Sequence, residues 1–186
     1  MKLKHIPNAL TLIRFALIAP FLIYLNQKEY VSAFIAFVMA GFTDGLDGWM
    51  ARYFNWQTFF GSFVDPIADK LLVVSSFISL ALLGALPWWL VILVFLRDLS
   101  ISFGIIAWYY FIARKLDFKP TLLSKFNTTF QLSLVTLCLY QLAFYQLPDW
   151  TISLLIGLTA TTTCITYVDY MLAWHRNAWP AKETAV

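Results

Sequence analysis

Apolar side chains gather in six stretches, near residues 8–26, 30–51, 63–84, 87–112, 125–146 and 149–173, each bounded by polar residues or by Gly/Pro breaks. A helix needs about 20 mostly apolar residues to cross a hydrocarbon layer of about 30 Å, and each stretch has that reach. The pattern predicts an all-α integral membrane protein with six transmembrane helices in one bundle, residues 1–186 forming a single domain. The second stretch is the most informative. Its charge-free part, Tyr30 to Thr43, is too short to span alone, so this helix has to carry Asp44 and Asp47 in its final turns. The third stretch begins with Asp65, Asp69 and Lys70 and then runs apolar from Leu71 to about Leu83. Both aspartate pairs therefore come to one end of the bundle.

The basic residues orient that end. Lys2, Lys4, Arg52, Arg114, Lys115, Lys119, Lys125, Arg176 and Lys182 fall on one side of a six-helix layout, against Lys28 alone on the other. The positive-inside rule makes the rich side cytoplasmic, which places both termini and all four aspartates there. The expected location is a bacterial inner membrane, with an organellar inner membrane as the alternative. Trp88, Trp89 and Trp150 at the outer turns suit an interfacial belt, as do Trp108, Trp174 and Trp179 on the inner side. Met1 to Leu25 has the outline of a signal peptide, but Arg14 and Pro20 interrupt its apolar part and no small-residue cleavage pattern follows. It is read as the first membrane helix, and Lys182 to Val186 as a short disordered tail.

Composition supports this picture. Hydrophobic residues make up 61% of the chain and charged residues 12%, the latter about half the share in a soluble domain. The net charge of +3 is spread among apolar runs, with no basic tract of the kind that binds nucleic acid. Cys138 and Cys164 lie in apolar segments without a CxxC partner and read as small hydrophobes. There is no internal repeat and no low-complexity tract.

Four carboxylates in a chain that otherwise avoids charge need a counter-charge, because an unpaired carboxylate in hydrocarbon costs at least a few kcal/mol. Asp44 and Asp47 are three apart on one helix, and Asp65 and Asp69 four apart on the next, so each pair projects from a single face. Brought together, the two faces form an all-oxygen cage without His or Cys. That donor set favours a hard cation, Mg²⁺ or Mn²⁺, over Zn²⁺. Four carboxylates can hold two ions, and paired ions about 3.5–4 Å apart suit a pyrophosphate group. Gly48 and Ala51 leave room for a phosphate or nucleotide to approach the helix, and Arg52 offers a fork of donors. Gly61 permits tight packing where the chain re-enters the membrane. A single aspartate here has a plainer explanation, a helix cap in the case of Asp65 or a bond to a neighbouring helix. Four of them together with Gly48, Arg52 and Gly61 exceed what capping requires.

The spacing of residues 44–69 resembles the signature of the CDP-alcohol phosphatidyltransferase family. It reads Asp, two residues, Asp-Gly, two residues, Ala-Arg, eight residues, Gly, three residues, Asp, three residues, Asp. Ile6-Pro-Asn-Ala-Leu-Thr-Leu-Ile-Arg14 resembles the family's approach to its first helix, and six helices is its usual core. The resemblance implies transfer of a phosphatidyl group from CDP-diacylglycerol to an alcohol, with release of CMP. It implies that Asp44, Asp47, Asp65 and Asp69 ligate metal and that Asp69 is also the general base. It assigns Asn8, Thr11, Gly48, Arg52 and Gly61 to the donor nucleotide and its pyrophosphate, and suggests a homodimer.

The acceptor depends on residues outside that signature. Arg97-Asp98 is a charged pair inside the fourth stretch, costly enough to suggest a buried polar role, with mutual pairing as the plainer alternative. Lys119-Pro-Thr-Leu-Leu-Ser-Lys125-Phe-Asn-Thr-Thr-Phe-Gln131 leads into the fifth helix with Lys125, Asn127, Thr128 and Gln131 at near-helical spacing. Both stretches resemble the cardiolipin-forming branch of the family. That resemblance implies phosphatidylglycerol as acceptor, held by Arg97, Lys119, Lys125 and Asn127, with sn-glycerol 3-phosphate as the alternative. A divalent-cation transporter is the non-enzymatic alternative, but such sites tend to lie at the bilayer midplane, whereas these carboxylates fall at a helix end.

Overall fold

The structure, a computed structural model, describes the backbone of residues 6–54, 59–111 and 122–178, and the side chains of residues 12–46, 53–54, 70–101, 103 and 122–172. Six helices follow one another: α1 (Ile6–Asn26), α2 (Tyr30–Tyr53), α3 (Phe59–Leu82), α4 (Trp88–Phe111), α5 (Leu122–Ala143) and α6 (Asp149–Ala178). There is no strand among the described residues. Each helix coincides with one predicted apolar stretch. The largest differences are that α3 starts at Phe59 rather than 63 and α6 runs on to Ala178 rather than 173. Hydropathy ends where polar residues begin, but backbone hydrogen bonding continues through them, as it does at His175 and Arg176 of α6.

Tight reversals join the helices at the end remote from the aspartates. After α1 the amide of Lys28 donates to the Leu25 carbonyl at 3.1 Å and that of Glu29 to Tyr24 at 2.9 Å, with Lys28 at φ 62°. After α3 the amide of Gly84 donates to Ala81 at 3.0 Å and that of Ala85 to Leu80 at 2.9 Å, with Gly84 at φ 74°. Glycine takes this left-handed angle freely, whereas a side chain there costs about 1 kcal/mol, so the α1–α2 turn is the strained one. Trp88, Trp89 and Trp150 are all exposed near these reversals.

α1 packs more extensively on α2 than any other described pair of helices, and α5 packs next most extensively on α6. The α1–α2 register is antiparallel and regular. Leu25 and Ala33 are buried beside the turn, and the rings of Phe21 and Phe37 lie 5.7 Å apart. The buried face of α2 is Ala33, Ala36, Phe37 and Ala40, a mostly small-residue stripe at helical spacing that lets the two backbones approach closely. α2 also meets α5, where Phe34 stacks edge-on against Phe144 at 5.4 Å and Tyr140 at 6.2 Å. α3 contributes Leu72, Val73, Phe77 and Leu80 to the core and α4 contributes Leu90 and Val94.

The surface has the opposite character to that of a water-soluble bundle. Phe42, Leu82, Phe103 and Leu122 are among many large apolar side chains that face outward. Polar groups lie inside instead: Arg14, Ser76, Arg97, Asn127, Gln131, Thr159, Thr163 and Thr166 are all buried. Contiguous outward apolar surface on this scale marks a face that contacts something other than water. Among the described residues one helical segment, Asp149–Leu172, is long and apolar enough to cross a membrane. Leu12–Asn26, Tyr30–Leu46 and Lys70–Leu82 are shorter apolar segments.

Candidate functional site

The helix bounds set the two acidic pairs at matching distances from the α2–α3 connection. α2 ends at Tyr53 and α3 begins at Phe59, so Asp47 lies six residues before the connection and Asp65 six residues after it. At a rise of about 1.5 Å per residue, both stand about 9 Å from that turn. Asp44 and Asp69 follow one turn deeper on their respective helices. Of the four, only Asp44 has its side chain among the described residues; the side chains of Asp47, Asp65 and Asp69 lie outside them. No group of three or more His, Cys, Asp or Glu that could hold a metal occurs among the described residues.

Asp44 is held from α1. Its Oδ1 accepts from Nη2 of Arg14 at 2.5 Å, with the arginine side chain fully buried and the carboxylate 42% exposed. The register explains the pairing: seven residues back along α1 from Phe21 reaches Arg14, and seven forward along α2 from Phe37 reaches Asp44. A further three residues brings Thr11 level with Asp47, and Asn8 lies one turn beyond it; the side chains of both are outside the described residues. Those of Gly48, Arg52 and Gly61 are outside them too. A buried guanidinium against a half-exposed carboxylate secures one oxygen of Asp44 without enclosing the group.

A second polar region lies between α5 and α6. Asn127 is fully buried, and its Oδ1 accepts from the hydroxyls of Thr162 and Thr163, each at 2.9 Å. One turn further, Gln131 on α5 comes level with Thr159 on α6. Asn127 Nδ2, Gln131 Nε2 and Thr159 Oγ1 are buried without a hydrogen-bond partner among the described residues. Asn127 is thus turned into the helix interface. Lys125, two residues earlier, is exposed.

Arg97 joins three helices. Its Nη1 donates to Asp98 Oδ1 at 2.7 Å, its Nη2 donates to Ser124 Oγ of α5 at 2.9 Å, and its guanidinium carbon lies 5.9 Å from the centroid of the Tyr170 ring of α6. Lys119 lies outside the described residues.

Sequence reasoning gave Arg14 no role beyond its motif, although a cation inside an apolar helix carries the same signal that singled out Arg97. It also passed over the α6 threonines, whose recurrence at 159, 163 and 166 is the spacing of one helix face.

The described residues form a helical bundle with polar groups turned inward and a buried arginine paired with a carboxylate near the end of α2. Comparison with known proteins identifies the family. The chain belongs to the CDP-alcohol phosphatidyltransferase family, whose profile matches residues 4–176. Members of this family are membrane enzymes. The chain is 37% identical over 188 residues to a Drosophila melanogaster protein described as "Probable cardiolipin synthase (CMP-forming)", covering 92% of this chain and 58% of that one. It is 33% identical over 184 residues to the human "Cardiolipin synthase (CMP-forming)", covering 89% and 60%. It is also 39% identical over 107 residues to a Mycobacterium tuberculosis "Probable phosphatidylglycerophosphate synthase", covering 54% and 51%. The chain spans between half and three fifths of the length of these curated relatives.

Proposed function

We propose that this protein transfers a phosphatidyl group from CDP-diacylglycerol to the hydroxyl of phosphatidylglycerol, giving cardiolipin and CMP. The observation that carries the proposal is the pairing of Arg14 of α1 with Asp44 of α2, and the helix bounds, which set Asp47 and Asp65 equally far along their helices from the α2–α3 connection, support it. The outward apolar faces and inward polar groups support a single membrane domain, and the excess of basic residues on one side of the six-helix layout supports placing both termini and the site at the cytoplasmic face of a bacterial inner membrane. A homodimer would bury part of the apolar exterior.

The carboxylates fit Mg²⁺ or Mn²⁺: the donor set is all oxygen, and Asp44 presents a half-exposed carboxylate. Two such ions, held by Asp44, Asp47, Asp65 and Asp69, would neutralise the diphosphate and polarise the phosphorus under attack. The chain's own groups do the rest. Asn8 and Thr11 of α1, with Gly48, Arg52 and Gly61, shape the pocket for the cytidine diphosphate. Asp69 takes the proton of the acceptor hydroxyl as its oxygen bonds to the phosphorus that carries the diacylglycerol, and the bond from that phosphorus to CMP breaks. Lys119 and Lys125 attract the anionic headgroup, while Arg97 and Asn127 fix the junction of α4, α5 and α6 beside it.

The relative named as a phosphatidylglycerophosphate synthase favours a second reading, the same chemistry with sn-glycerol 3-phosphate as acceptor. Purified protein supplied with CDP-diacylglycerol, Mg²⁺ or Mn²⁺, and each acceptor separately decides between them by the lipid formed. Cardiolipin from phosphatidylglycerol is expected; product from glycerol 3-phosphate alone would reverse the order. Failure to release CMP with either acceptor, alongside Mn²⁺ flux into proteoliposomes, would favour a transporter instead. Lys125→Ala is expected to raise the acceptor KM about fivefold to tenfold, the worth of one charge-assisted bond. An unchanged acceptor dependence would return Lys125 to the role of a solvated residue at a helix start.

A further inference from the structure

We infer that Arg14 selects the metal, by committing one oxygen of Asp44 and so restricting that carboxylate to one-oxygen ligation. The inference rests on the proposal above that Asp44 is a metal ligand, and adds a positioning residue to it. Three observations carry it. The Arg14 side chain is fully buried, in an α1–α2 register fixed by the Phe21–Phe37 contact, so it has little freedom to swing away. Its Nη2 donates to Oδ1 of Asp44, a charge-assisted bond. The Asp44 side chain is nevertheless 42% exposed, so the pairing with Arg14 does not enclose the carboxylate.

The consequence follows from ion size and geometry. Mg²⁺ demands near-octahedral coordination at about 2.0–2.1 Å and takes one oxygen from each carboxylate, and Mn²⁺ prefers similar oxygen sites. Ca²⁺ takes six to eight oxygens at about 2.3–2.6 Å and gains from carboxylates that supply both. A carboxylate with one oxygen tied to a buried guanidinium serves the smaller ion and handicaps the larger. The fixed positive charge also weakens binding of every divalent ion somewhat, so the signature is in the ratio of affinities and not in either affinity alone.

The test is Mn²⁺ binding by the full-length protein in detergent micelles, followed by the electron paramagnetic resonance signal of free Mn²⁺, with Ca²⁺ as competitor. In Arg14→Gln, Ca²⁺ is expected to compete about tenfold better relative to Mn²⁺ than in the wild type, the size typical of losing a group that orients a metal ligand. Arg14→Lys, whose ammonium can still bond Oδ1, is expected to keep a ratio close to the wild type. Arg14→Met replaces the Gln variant if that one does not hold its fold on size exclusion. An unchanged ratio in a folded Gln or Met variant would overturn the inference. So would a Lys variant that loses discrimination as fully as Gln, since packing of the guanidinium would then be what matters. Asp44→Asn separates this from the underlying proposal: it should weaken Mn²⁺ binding about tenfold or more. Unchanged Mn²⁺ binding there would overturn the metal assignment of Asp44 and the inference with it. Weakened binding there, with an unchanged ratio at Arg14, would overturn the inference alone.

Discussion

Asp69→Asn is expected to lower turnover by about a thousandfold or more, the upper range for loss of a general base, while CDP-diacylglycerol still binds. The substitution keeps the shape of the side chain and removes its charge, so α3 can retain its course through residue 69. What is lost is the proton acceptor and one anionic metal ligand together. The two losses separate by comparison with Asp65→Asn, which alters a ligand but not the proposed base. Excess Mn²⁺ should restore much of the Asp65→Asn rate by mass action and little of the Asp69→Asn rate. Release of CMP measured against Mn²⁺ concentration gives both results. Turnover close to wild type in Asp69→Asn would remove that residue from catalysis, and equal rescue of the two variants would reduce it to a metal ligand.

Much of the architecture was legible because hydropathy and helix length are nearly local properties. Six apolar stretches became six helices, and the shortness of Tyr30 to Thr43 correctly required Asp44 and Asp47 to lie inside α2. The expectation that the two acidic pairs share one end rests on the shortness of the connection between α2 and α3, and the side chains of Asp47, Asp65 and Asp69 lie outside the described residues. The pairing of Arg14 with Asp44 was not legible. It depends on the α1–α2 register, which is set by Phe21, Phe37 and the alanine stripe, and no local pattern in α1 reveals where α2 will meet it. The α5–α6 seam was hidden for the same reason. Asn127 looked like a donor available to a headgroup, because spacing along α5 shows which residues share a face but not that the face would be covered by Thr162 and Thr163. Side-chain direction toward a partner thirty-five residues away is a tertiary property.

Arg97→Ala is expected to destabilise the protein by about 3 kcal/mol, because it takes the guanidinium away from the carboxylate of Asp98 in a poorly solvated place. The guanidinium and carboxylate side chains are 9% and 14% exposed, so solvent screens the pair little. The same substitution removes the bond to Ser124 of α5 and the contact with the Tyr170 ring of α6. The double variant Arg97→Ala/Asp98→Ala should recover a good part of that stability, since removing both partners of a buried pair costs less than stranding one. Thermal unfolding of the single and double variants in the same detergent measures this coupling, and equal stability of the two would show that the pair carries none. The double variant then answers the functional question that the single one cannot. If the α4–α5–α6 junction positions the acceptor headgroup, the restabilised protein should still need several times more acceptor for half-maximal rate, with the donor requirement unchanged. A double variant that regains both stability and normal acceptor dependence would confine Arg97 to holding three helices together, leaving Lys119 and Lys125 to account for recognition of the acceptor.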